Sequence, residues 1–171
     1  MNAEQAKFLV EHYARVMGNE HATTLKVLGA VKDDTRDYKP DPKSRSAWQL
    51  ATHIATSDLW FLDSIINGKF DFNPEAAQKA EAQFKTAKDI VAFYQRTYPA
   101  KLEELKALPA DKMTRTVDFF GMMQQPAVGY LSIANNHGIH HRGQLAAYLR
   151  AMGSKVPDIY GPSGDSEPAT T

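Results

Sequence analysis

The stretch Asn136-His137-Gly138-Ile139-His140-His141-Arg142-Gly143-Gln144 decides how this chain is read. It lies inside an apolar-periodic run from about Gln125 to Met152, which predicts a long helix with Pro126 in its first turn and Gly153 at its end. His137 and His141 are four residues apart, so they share a helical face with Cβ atoms roughly 6 Å apart. That spacing lets two imidazoles bind one divalent ion. At about 100° per residue, Tyr130, Ile133, His137, His141, Gln144 and Tyr148 fall on one face, expected to point inward, with His140 off-centre. Polar groups on an inward face need partners, and a metal would serve both imidazoles. Gly138 stands where an H-E-x-x-H protease carries its glutamate, so the zincin reading fails.

Upstream, His53 sits in a second apolar run that follows the N-cap candidates Ser44 and Ser46 and ends at Asn67-Gly68. Its stripe carries Leu50, His53, Ser57, Trp60, Phe61 and Ser64. Three imidazoles from two helices would leave coordination positions open, as catalytic sites do. Taken singly, each histidine reads more readily as a hydrogen-bonded core residue than as a ligand, and His12 and His21 read as surface or rim.

Two further helices complete the pattern. One spans about Ala3 to Val31, with a stripe of Leu9, Tyr13, Val16, Met17, Thr24, Val27, Leu28 and Val31. Glu20 falls inside that stripe and needs a buried partner, with pairing to Arg142 preferred over support of a ligand histidine. The other spans about Phe84 to Leu108 and should kink at Pro99. Residues 32 to 43 form a polar linker, and 68 to 83 read as a loop in which Pro74 opens at most a short helical turn. Alternation over 114–121 marks one arm of a short hairpin before the last helix. Four amphipathic helices with almost no strand imply an all-α four-helix bundle, in one domain over 1–163. Residues 164 to 171 are small and polar and are expected to be a disordered tail.

Composition narrows the function. The 171 residues carry 20 basic and 20 acidic side chains, so no strong electrostatic footprint marks a nucleic-acid partner. No apolar run reaches the length of a membrane span, and the N-terminus lacks a signal-peptide layout, which makes the cytoplasm the default expectation. The absence of cysteine excludes disulfides, thiolate-ligated zinc and a cysteine nucleophile.

Asn136-His137-x-x-His140-His141-Arg142-Gly143-Gln144-Leu145, followed by Tyr148-Leu149-Arg150 and Gly153, resembles the end of the last helix of the DinB-like (DNA-damage-inducible) superfamily. The tail Val156-Pro157-Asp158-Ile159-Tyr160-Gly161-Pro162-Ser163 and the segment Trp48-Gln49-Leu50-Ala51-Thr52-His53-Ile54-Ala55 are similar to it as well. The resemblance implies a four-helix bundle of up-down-down-up order, usually a homodimer. It implies a divalent metal, zinc or nickel first, held by His53, His137 and His141. It implies a metal-dependent enzyme acting on a small-molecule substrate, either a transferase using a low-molecular-weight thiol cosubstrate or a hydrolase. The alternative is a non-enzymatic, metal-binding dimeric module linked to stress. Neither nucleic acid nor membrane is an expected partner. Gln144 and Tyr148 would orient a substrate and Arg142 would attract an anionic one. Pocket walls are expected from the first and third helices and the 32–43 linker. Phe119-Phe120 and Met122-Met123 are candidates for contact surface.

Overall fold

A computed structural model describes residues 1–166; Glu167 to Thr171, most of the expected tail, lie outside the described residues. The element order is α1 (Ala3–Gly29), α2 (Ala47–Asn67), α3 (Pro74–Ala82), α4 (Ala87–Lys106), α5 (Ala110–Thr114), β1 (Thr116–Phe119), β2 (Met123–Pro126) and α6 (Tyr130–Leu149). The long helices begin where the sequence supplies caps. Asn2, Ser46 and Thr86 each accept from the backbone three residues on, and Gln5, Gln49 and Asp89 return the bond. Gly68 ends α2 in the left-handed region at φ 69°, and the Arg115 guanidinium occupies the space its Cβ would need while donating to the Ile65 and Ile66 carbonyls.

The four long helices close a ring in which α1 packs on α4, α4 on α2, α2 on α6, and α6 on α1. Cross-helix contacts fix the directions. Tyr94 meets Asp58 and Lys101 meets Asp63, so α2 and α4 run parallel. His21 lies beside Tyr94, and Gly18 beside Leu102, so α1 opposes α4. His53 faces His141 while Phe61 faces His137, so α6 opposes α2. The order is therefore up-down-down-up. A parallel α2–α4 pair requires the chain to travel back the length of the bundle. The 68–86 connection does so, and α3, which buries no residue fully, lies along it.

Several local expectations change. Residues 68–83 hold a two-turn helix rather than a loop, because Asn73 caps Ala76 and Pro74 fits the first turn. Helix α4 continues through Pro99. Pro126 ends β2 and precedes a 3₁₀ turn at Ala127–Gly129, so α6 starts five residues later than the periodicity suggests. The hairpin is real: β1 pairs antiparallel with β2 from Thr116↔Pro126 to Phe119↔Met123. Its turn places Phe120 and Gly121 at φ 54° and 72°, and the Tyr130 hydroxyl ties it to α6 through the Val117 carbonyl. The first half of the α1 stripe is rotated from its expected setting: Ala6, Val10, Ala14, Met17 and His21 are buried, so small residues let α1 approach the ring closely. Before the undescribed end, Asp165 accepts from Val156 N and pairs with Arg150. No described helix is long and apolar enough to cross a membrane.

Candidate metal centre

Two polar clusters lie among the long helices. In the first, Arg142 is 1% exposed in the middle of the α6 inward face. Its guanidinium donates to Glu20 Oε2 at 2.5 Å and to the Tyr160 hydroxyl, which donates in turn to Glu20. This is the pairing preferred for Glu20. It also withdraws Arg142 from any role with substrate, since its charge is spent inside the bundle.

Beside it, Tyr94 donates to Asp58 Oδ2 at 2.6 Å. Asp58 Oδ1 is buried without a partner among the described residues, and burial pushes the carboxyl up to about 7 against the opposing effects of Tyr94 and Arg142. A Cβ on residue 138 would stand 3.0 Å from Asp58 Oδ1, so glycine there lets α2 and α6 approach. His21 belongs to this core rather than the surface. It stacks on Tyr98, and its Nε2 lies 3.2 Å from the Tyr94 carbonyl.

The second polar place is the histidine cluster. The buried face of α6 runs through Leu131, Ala134, Arg142, Leu145 and Leu149, not through the histidines. His137 and His141 therefore sit on its flank, half-buried, where α6 meets α2. From α2, His53 closes the group. Ring centroids are 4.4 Å apart for His137–His141, 4.6 Å for His53–His141 and 5.3 Å for His53–His137. One donor nitrogen from each lies within 4.8 Å of the others. Three imidazole nitrogens so grouped are a donor set that would hold a divalent ion.

Three observations fit a cation. Burial, then the charges of neighbouring groups, pushes His53 down to about 3 and His137 down to about 4; burial also lowers His141. All three rings are thus neutral near pH 7, the form that ligates. His137 Nδ1 is buried with no hydrogen-bond partner among the described residues, a cost that a ligand at the cluster would relieve. Gln144 Oε1 takes the Nδ1 hydrogen of His141 at 2.8 Å, which fixes that ring and leaves Nε2 with its lone pair. Among the described residues no carboxylate joins the three nitrogens as a fourth donor.

A cavity of about 520 Å³ opens beside His53 and His137. Its walls are not those expected from the sequence. They come from α2 (Ser57, Trp60, Phe61), the 71–81 segment with α3, Phe119 of the hairpin, and Arg45 just before α2. Neither Gln144 nor Tyr148 lines it; Tyr148 packs edge-on against Tyr38. Sequence reading missed Arg45 and Glu81. Glu81 Oε1 stands 3.7 Å from His53 Nδ1, and burial raises its carboxyl above the usual range. The signal for it was present: Asn73-Pro74 starts a helix, and Ala76, Ala77, Ala80 and Glu81 then share one face.

Comparison with known proteins agrees with this architecture. The model of the DinB family matches residues 1–168. YjoA of Bacillus subtilis, an uncharacterised protein, is 28% identical over 159 residues, covering 91% of this chain and 96% of its own. A second uncharacterised protein of that organism, YrdA, is 24% identical over 155 residues, with 90% and 89% covered. The crystal structure of a DinB-like protein from Bacillus cereus superposes with a TM-score of 0.72 at 26% identity, covering 88% of this chain and 97% of that one. That of YjoA gives 0.66 at 25% identity, with 91% and 99% covered. The match of sequence, fold and helix order over nearly the whole length places the chain in the DinB family.

Proposed function

We propose that this protein is a metal-dependent enzyme that activates a small nucleophile at a divalent centre, zinc or nickel, held by His53, His137 and His141. The observation that carries the reading is the cluster itself: three neutral imidazoles, no fourth protein donor among the described residues, and an apolar cavity on the open side. A divalent cation held only by neutral imidazoles keeps its full charge and strongly acidifies a water or thiol beside it.

The chain's own residues supply the rest. Gln144 holds His141 in one tautomer, and Glu81 Oε1 stands 3.7 Å from His53 Nδ1. Trp60, Phe61 and Phe119 present an apolar wall that excludes water from a bound electrophile. With no cysteine in the chain, any sulfur nucleophile enters as a low-molecular-weight thiol. A thiol S-transferase and a hydrolase are two uses of this one arrangement. The exposed Phe120, Met122 and Met123 offer apolar surface to a second copy in a homodimer.

Elemental analysis of untagged protein tests the proposal, comparing wild type with His53→Ala and His141→Ala. Stoichiometric divalent metal, lost in both variants, is the expected result, followed by metal-dependent turnover in a screen pairing thiols or water with electrophiles. No metal in the wild type and no uptake on titration would overturn it.

A further inference from the structure

The cavity beside the histidines combines an aromatic wall with a cationic side chain, Arg45. Trp60 lies edge-to-face with Phe61 at 4.9 Å and with Phe72 at 6.0 Å between ring centroids, and Phe119 completes the surface. Aromatic side chains set edge to face around a cavity offer ring surface to a flat apolar guest. Of the charged side chains lining the cavity, Asp71 pairs with Lys69 at 2.7 Å and Glu81 turns to His53. Arg45 makes no ion pair among the described residues. It is exposed, lines the cavity, and its charge reaches all three histidines and Glu81. A guanidinium beside a hydrophobic slot recognises a planar oxyanion through paired N–H donors.

Resting on the reading of the histidine cluster as the reacting centre, we infer that the substrate class is an aromatic organic anion. Its apolar body lies against Trp60, Phe61, Phe72 and Phe119, and its carboxylate-type group lies on Arg45. Arg45 is then a specificity residue, and α3 is the wall that encloses the guest. The cavity size is that of an ordinary small-molecule site. Helix α3 bears on it through Ala76, Ala77 and Ala80, whose methyl groups leave the slot open.

Calorimetric titration with naphthalene-2-carboxylate and the isosteric naphthalene-2-carboxamide tests this, on both metal-free and zinc-treated protein. The expected result is tighter binding of the carboxylate by about fivefold, the size of a partly exposed ion pair. Arg45→Gln should abolish that preference while leaving carboxamide affinity unchanged. Ala77→Trp, which fills the slot, should block both probes and leave zinc uptake intact. Equal affinity for the two probes, a preference that survives Arg45→Gln, or binding undisturbed by Ala77→Trp would each overturn the inference. Failure of zinc uptake with the carboxylate preference intact would sink the metal reading and spare the binding site, so the two are tested apart.

Discussion

Removing the Glu20 carboxylate should expose how the bundle tolerates a charge at its centre. The Arg142 side chain is 2% exposed and Glu20 is 20% exposed, with 2.5 Å between them. Deleting one member of a buried pair leaves the other charge uncompensated, typically at about 3–5 kcal/mol. Here Arg142 keeps the Tyr160 hydroxyl and the Glu20 carbonyl, and water reaches Glu20 from one side. Those partners place Glu20→Ala at the low end, about 3 kcal/mol. For a chain of this length that lowers Tm by roughly 6–12 °C. Urea titration followed by circular dichroism, alongside a thermal melt, measures both. The double variant Glu20→Leu/Arg142→Met, which replaces the pair by apolar volume, should recover most of the loss, because no buried charge then remains. A loss under about 1 kcal/mol in Glu20→Ala, or a double variant weaker than the single one, would refute the idea that an unpaired buried guanidinium sets the cost.

Gln144→Ala should weaken zinc binding by about tenfold in chelator competition, since it frees the His141 ring, with stability within about 0.5 kcal/mol because Gln144 is exposed; unchanged affinity would remove its positioning role. Asp58 gives a pH dependence. Its folded value near 7 lies above the ordinary 3.8, so its favourable contribution is complete below about pH 4 and is lost as pH rises towards 7. Asp58→Asn, which keeps an acceptor for Tyr94, should therefore gain on wild type between pH 4 and 8, with a ceiling of about 4 kcal/mol, read from urea midpoints. Parallel pH curves for the two proteins would refute this.

The parts legible in sequence were those governed by local rules. The Ser46 cap, Gly68 and the apolar period located the long helices, and i, i+4 spacing put His137 and His141 side by side. Glu20 in an apolar stripe announced a buried partner, because a carboxylate without one could not stay there. Periodicity alone misjudged which way α6 faces. Counting His137 as inward treated the histidines as core, whereas Leu131, Ala134, Leu145 and Leu149 hold that position, and the histidines take the flank where a ligand can enter.

By itself, then, the sequence determined the four long helices, their family and the candidate ligand set, since caps, period and motif act over a few residues. Tertiary structure alone decided the pocket. Arg45, Trp60, Glu81 and Phe119 are spread over 75 positions and meet only because the 68–86 connection folds back along α2. Likewise, only the packing of α1 on α4 could bury His21, and only that of α4 and α6 on α2 could leave Asp58 with an oxygen unpartnered among the described residues. Contacts between distant segments carry no local signature, and desolvation depends on everything packed around a group.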